Sequence, residues 1–266
     1  MDHSTITVFN HFVRYRNVLM SEADFGPLFR AYDEHLATNH LELPDDVVQL
    51  FKGCLAACTL HCASRPRNEV IGWTINFQDP LLNVFLGGDT ELGSIAGRVF
   101  LENIKASPMN SFHQELAVRG KPLRKSFVEF EGHDPMLAAE AFYERSEQRP
   151  ARFFQMDSSR YIMLSAHPDW DREWFHGIDQ EGMKTIETDQ TLSLLEKRDY
   201  GWHCGCSQDK IMKVLLPIYQ NDADGLYQGD PSVTVNCPRC CAKYAISREA
   251  IEAFAADEAN RDTDSA

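Results

Sequence analysis

The sequence predicts an α+β protein with a small cysteine-bearing module near its C-terminal end. Three observations carry this: strand-like segments of period two that group together, separate amphipathic helices that do not alternate strictly with them, and a cysteine-dense block after Trp202. The parts divide as an N-terminal domain of mixed sheet and helix over 1–167, a helical linker over 168–201, a C-terminal module over 202–254 and an acidic tail over 255–266.

The first strong helix lies in LELPDDVVQLFKGCLAACTLHCAS, which closes at Ser64. Pro44 and two aspartates open it, Val47, Phe51, Cys54, Cys58 and Cys62 recur at helical spacing as a core-facing stripe, and Pro66 follows its end. From Val70 the period changes to two. Ile71, Trp73, Ile75 and Phe77 share one face of a strand, and Leu82, Val84 and Leu86 share one face of a second before a turn at Gly87-Gly88-Asp89. Further strands are expected at Ile95–Leu101 and Ser126–Phe130. Asp134 and Pro135 suit the cap and first position of a helix that ends at Pro150. Arg152–Met156 and Arg160–Ser165, joined by Asp157-Ser158-Ser159, read as a hairpin.

From Pro168 to Tyr200, Trp170, Trp174, Phe175, Met183, Ile186, Leu192 and Leu195 are apolar. Charges and two glycines interrupt any long pattern, so this stretch is a partly helical linker that packs on something. Beyond it come a short helix over Ser207–Leu216, stopped by Pro217, and a strand at Val233–Asn236. The small, acidic residues from about Ala255 predict a disordered tail.

Composition limits the function. The 266 residues carry 26 basic and 40 acidic side chains, net −14, which disfavours nucleic acid as a partner. There is no apolar run long enough to span a bilayer and no basic-then-apolar leader, so neither membrane insertion nor secretion is expected. Eight cysteines in a chain this long are too sparse for a disulfide framework and fit a reducing compartment, where close pairs are metal-binding or redox-active. The expected location is cytoplasmic.

Cys204-Gly205-Cys206 and Cys237-Pro238-Arg239-Cys240 supply two such pairs from separate loops. Four thiolates suit one zinc ion per chain, and a closed set of four cysteines leaves no open position for a hydrolytic water. Gly205 removes a Cβ where the chain must turn hard. The same pairs can undergo redox chemistry. A thiolate oxidised to sulfenic acid condenses with its neighbour, so Cys204 with Cys206 and Cys237 with Cys240 can each act as reacting and resolving thiols, ejecting the metal. A module of this size holds little core, so losing the metal should unfold it.

These residues resemble the heat shock protein 33 family, the redox-regulated bacterial holdase chaperones. Cys204-Gly205-Cys206-Ser207 matches that family's Cys-x-Cys-Ser start, and Cys237-Pro238-Arg239-Cys240 with Tyr244 matches its Cys-x-x-Cys end and following aromatic. Independently, Tyr143-Glu144-Arg145-Ser146-Glu147-Gln148-Arg149-Pro150 resembles its Tyr-x-x-Ser-Glu-Gln-x-Pro stretch, placed after Gly120-Lys121-Pro122-Leu123. The resemblance implies an N-terminal substrate-binding domain, a metastable helical linker and a zinc module that senses peroxide or hypochlorous acid. It further implies an ATP-independent, non-enzymatic holdase for unfolded client proteins. On oxidation two disulfides form, zinc leaves, module and linker unfold, client-binding surface is uncovered and dimers appear.

The chain departs from the family pattern at four places. Ala151 replaces the usual Thr, Gln78-Asp79-Pro80 stands in place of a Gly-rich turn, the stretch from His167 to Cys204 is short, and Cys241 directly follows the last cysteine of the set. Cys54, Cys58 and Cys62 with His61 could form a second metal site on one helix face, but packing is the expected role, since free Cys behaves as a small hydrophobe. Ser146-Glu147-Gln148 near His133 shows no catalytic elbow, and four cysteines leave His203 no ligand position to fill. Trp170, Trp174 and Phe175 suit either plain packing or a client surface hidden at rest. Two other functions fit the cysteine pattern: a constitutive binding or adaptor protein with structural zinc, and a thiol-disulfide oxidoreductase using Cys237 and Cys240.

Overall fold

The computed structural model describes residues 4–264. The chain begins with strands β1 (Thr5–Val13) and β2 (Val18–Asp24), then helices α1 (Gly26–Thr38) and α2 (Asp45–Ala63). Five strands follow: β3 (Glu69–Gln78), β4 (Leu81–Asp89), β5 (Ser94–Phe100), β6 (Asn110–Val118) and β7 (Arg124–Phe130). Helix α3 (Pro135–Phe142) runs into a π-helical turn, Tyr143–Glu147, before the hairpin of β8 (Ala151–Gln155) and β9 (Arg160–Ala166). Three short helices, α4 (Arg172–Gly177), α5 (Gln180–Lys184) and α6 (Ile186–Asp189), lead to β10 (Leu192–Trp202). The chain closes with α7 (Gln208–Asn221), α8 (Ala223–Tyr227), β11 (Ser232–Asn236), β12 (Lys243–Ser247) and α9 (Arg248–Asp264). It divides into two compact units that part between Cys204 and Gly205.

In the first unit a ten-stranded sheet has the order β7-β6-β3-β4-β5-β10-β1-β2-β9-β8. Its neighbours are antiparallel except β10 and β5, which meet in parallel at Gly201–Ser94 and Trp202–Ile95. Period two explains the alternating burial of β3, whose Ile71, Trp73, Ile75 and Phe77 all face inward. Helix α2 lies over this layer. Val47, Phe51, Cys54, Cys58 and Cys62 are all buried, the last four fully. The helix comes so close to the sheet that a Cβ on Gly88 would stand 2.5 Å from Cys62 Sγ. Gly87, Gly88 and Asp89 thus lie inside β4, and the turn expected from Gly87 begins three residues later, at Thr90.

The Ser-Glu-Gln segment has a structural use. Glu147 pairs with Arg65 at 2.8 Å, Arg65 pairs with Glu69 at 2.9 Å, and Tyr143 Oη lies 2.7 Å from His61 Nδ1. Burial, followed by the nearby Arg65 and Arg149 charges, holds His61 neutral. Asp134 caps α3 as expected, accepting from Met136 N at 2.7 Å.

The linker departs from expectation in one respect. Its first half forms α4, α5 and α6, but Leu192–Trp202 is a full strand of the sheet, paired with β1 from Thr5–Gly201 to Val13–Leu192. The alternation that would reveal a strand is masked because a charged side chain occupies one of its two buried positions: beside Tyr200, Arg198 is 9% exposed and donates to the Arg65 carbonyl at 2.6 Å. The non-sheet linker is correspondingly short. Phe175, Ile178, Met183 and Ile186 are buried in one cluster with Val13, Val18, Met20, Phe154, Ile162 and Leu164, so the short helices cover an apolar face built from β1, β2, β8 and β9.

In the second unit, Pro217 lies within α7 rather than ending it. Helix α9 occupies most of the stretch expected to be a disordered acidic tail, and residues 265–266 lie outside the described region. The unit's own core is small: Ile211, Met212, Leu215, Tyr227, Ile246 and Ile251 are its buried cluster.

The contact between Gly88 and Cys62 gives a direct test of how α2 seats on the sheet. Gly88→Ala should destabilise the first unit by about 1–3 kcal/mol through overpacking, and adding Cys62→Ala should return part of that loss. Urea unfolding followed by tryptophan fluorescence checks both; an equal cost with and without Cys62 would show that the sulfur is not the obstacle.

Candidate metal centre

Two turns build the site. The first leaves β10 at Trp202, with His203 N donating to the Ile95 carbonyl at 3.0 Å. Gly205 then takes φ +70°, a left-handed conformation open to glycine at little cost, which lets Cys204 and Cys206 turn to a common side. Ser207 caps α7 by accepting from Lys210 N at 3.3 Å, and Lys210 Nζ donates back to the Gly205 carbonyl at 2.5 Å. Because the unit boundary falls at the peptide bond after Cys204, this turn is covalently continuous with the module that holds the other cysteines.

The second turn is the loop of the β11–β12 hairpin. Cys237 N donates to the Ala242 carbonyl and Cys241 N to the Cys237 carbonyl, both at 2.8 Å. These bonds fold Cys237-Pro238-Arg239-Cys240 back on itself. Cys241 carries φ +63°, uncommon for a residue with a Cβ.

The result brings together all four residues named from sequence. The sulfurs of Cys204, Cys206, Cys237 and Cys240 lie within 4.8 Å of one another, with Cys206 and Cys240 at 3.6 Å. A tetrahedral zinc with Zn–S bonds of about 2.3 Å requires sulfurs about 3.8 Å apart, so the spacing fits that ion with little adjustment. All eight cysteines are free of disulfides. Cys237 and Cys240 are buried, whereas Cys204 and Cys206 are half-buried.

Tyr244 adds a feature that sequence supplied only as an aromatic position. Its phenol donates to Cys206 Sγ at 3.0 Å. Such a bond orients the sulfur from behind the ligand set and tempers its charge. Burial, followed by the Cys206 sulfur, pushes the phenol pKa upward and keeps it a donor.

The remaining candidates are placed elsewhere. Cys241 is not part of the four-sulfur group. Cys54, Cys58 and Cys62 belong to the main core, and burial pushes the Cys54 and Cys58 thiols far above their ordinary value. They pack as small hydrophobes, as their spacing with Val47 and Phe51 predicts.

An α+β domain with a short helical linker, joined to a four-cysteine module, defines a class in which a metal-ligating tail is attached to a larger sheet domain. Three comparisons narrow that class. The family model described as Hsp33 protein matches residues 164–247. A 33 kDa chaperonin of Pseudomonas aeruginosa strain UCBPP-PA14 is 25% identical over 257 residues, covering 82% of this chain and 84% of that protein. A 33 kDa chaperonin of Mannheimia succiniciproducens is 31% identical over 83 residues, 31% of this chain and 28% of its own. The crystal structure of a 33 kDa chaperonin, an Hsp33 homologue from Thermotoga maritima, superposes with a TM-score of 0.73 at 14% identity over 97% of this chain and 99% of that one, which establishes the shared fold. Together these findings show a chain similar to the Hsp33 family over 164–247, similar to a curated 33 kDa chaperonin over most of its length, and sharing the fold of an Hsp33 homologue.

Two substitutions separate ligand from support. Cys237→Ser should abolish stoichiometric metal in the purified protein, while Tyr244→Phe should retain it but lose it to a competing chelator about tenfold more readily. Metal analysis and chelator competition measure both, with Cys54→Ala as the variant expected to change neither.

Proposed function

We propose that this protein is a redox-regulated holdase chaperone that works without ATP and binds unfolding proteins under oxidative stress. The observation that carries this reading is the gathering of four cysteine sulfurs within 4.8 Å in a unit whose own buried cluster is small. Such a unit depends on its metal for folding, because structural zinc supplies on the order of 10 kcal/mol or more to small modules. Cys204, Cys206, Cys237 and Cys240 hold one zinc in the reduced state, as four thiolates complete a tetrahedron and leave no open position for hydrolysis.

Oxidation removes the ligands. Two equivalents of peroxide accept four electrons from the four thiolates, take up protons to give water, and leave disulfides between Cys204 and Cys206 and between Cys237 and Cys240. Zinc departs, the module unfolds, and the linker helices, too short to persist alone, open from the sheet. The apolar residues under α4, α5 and α6 are then the client surface, with Val13, Met20, Phe154 and Ile162 among them. The resting burial of Phe175 against this face supports a covered surface at rest. Activated chains pair as homodimers in the cytoplasm, and the acidic balance of the chain helps keep client complexes soluble. Among the described residues, no helix is long and apolar enough to cross a membrane.

Peroxide treatment should release about one zinc per chain, consume four thiols and switch on suppression of client aggregation, with reductant reversing all three. Zinc release read by a metallochromic dye, thiol counting and light scattering of an unfolding client follow these together. Zinc retained with unchanged activity would make the module a constitutive staple and overturn the redox reading.

A further inference from the structure

The linker helices cannot hold themselves. They are six, five and four residues long, far below the length at which an isolated helix persists in water. Their apolar residues bury one face, but the same segment is also gripped at three places by arginines that the sheet domain projects toward it.

Arg16, in the β1–β2 turn, places Nη1 2.6 Å from Asp171 Oδ2, donates from Nε to Gln190 Oε1 at 3.1 Å, and lies 5.5 Å over the Trp174 ring. It thereby touches both ends of the three-helix segment. Arg152, on β8, donates to the carbonyls of Phe175, at 3.1 Å, and Ile178, where α4 ends and its carbonyls lack helical partners. Arg160, on β9, bridges Glu22 of β2 at 2.7 Å and Glu187 of α6 at 3.0 Å. The segment is therefore held by charge at points fixed on the sheet.

We propose that Arg16, Arg152 and Arg160 form a clamp that keeps the linker closed, and that opening this clamp uncovers the client surface with no change at the cysteines. The inference rests on the holdase reading above for what the uncovered face binds, but the clamp itself is a property of the first unit alone. In this arrangement the apolar face supplies affinity for the linker and the arginines supply its register. Removing one arginine takes the charged donor from the α4 carbonyls, or leaves Asp171 with its backbone capping bond from Trp174 N at 3.0 Å, and shifts the linker toward its melted state.

The test uses the full-length, reduced, zinc-loaded protein. Arg152→Ala and Asp171→Asn, one on each side of the clamp, should speed amide exchange in 172–190 roughly tenfold or more, the scale of losing a charge-assisted hydrogen bond. Both should suppress client aggregation without oxidant while keeping zinc and all thiols. Arg119→Ala, an exposed arginine that does not reach the linker, should behave as the parent in both measurements. Unchanged linker exchange in both variants would overturn the clamp. Faster exchange with no gain in client binding, while the peroxide-treated parent does bind, would overturn its role in covering the client surface. A parent that fails to bind clients after peroxide overturns the holdase reading, and the exchange rates still decide the clamp.

Discussion

Four cysteine sulfurs held within 4.8 Å of one another are a constraint with few chemical solutions. As thiolates they repel strongly, as thiols they bury weak donors with little to accept them, and as disulfides they need shorter contacts than these. A divalent cation at their centre resolves the repulsion and satisfies every sulfur at once. The backbone is arranged for that state: Gly205 is left-handed, the Cys237 and Cys241 amides close the knuckle, and Tyr244 donates to the Cys206 sulfur. The rest of the module is arranged around these turns. Only Ser207 separates Cys206 from helix α7, and the β11–β12 hairpin loops through Cys237 and Cys240, so both elements lose an end if the sulfurs separate.

The first unit answers a different constraint. A ten-stranded sheet must cover its apolar faces, and α1, α2 and α3 cover much of the main cluster. Over β1, β2, β8 and β9 the cover is instead the segment of three short helices. Such helices contribute little order of their own, so the stability of that cover is borrowed from the surface beneath it and from the arginines around it. A cover of this kind opens more easily than the core below, which is the low-stability behaviour expected of a regulated surface.

Much of this was legible in the sequence because the informative patterns are short-range. Helix α2, the alternation of β3 and β4, the Asp134 cap and the β8–β9 hairpin all follow from neighbouring residues. The four-cysteine set was legible for the same reason, each pair being local. What was hidden depends on distant partners. β10 reads as linker because Glu196 and Arg198 stand where an inward apolar side chain would signal a strand, and the arginine is accounted for by the distant Arg65 carbonyl together with Glu196 at 2.7 Å. The opening hairpin of β1 and β2 and the helix after it gave no decisive local signal, yet β1 and β2 fill the sheet between β10 and β9. Helix α7 passes through Pro217, and helix α9 forms from small and acidic residues whose composition alone favours disorder. The arginine clamp was invisible for the same reason as β10: Arg16, Arg152 and Arg160 carry no signal until the fold brings Asp171, the α4 carbonyls and Glu187 to them.

The two groups of cysteines show why position rather than residue type governs the chemistry. Cys54, Cys58 and Cys62 share a helix face, as metal ligands can, but they project into a dry core. Burial there penalises the thiolate, pushes the thiol pKa of Cys54 and Cys58 upward and leaves neither a nucleophile for an oxidant nor a ligand for a metal. Cys62 is further committed to packing, because its sulfur occupies the space that Gly88 vacates. In the module the balance reverses. Cys204 and Cys206 are partly open to solvent, Cys206 precedes the positive end of α7, and Tyr244 offers it a proton to share. Under the proposed redox reading, an oxidant would meet partly exposed sulfur at the module but only enclosed sulfur in the core, with Cys54 and Cys58 held protonated, so the packing of the sheet domain would survive while the module reacts.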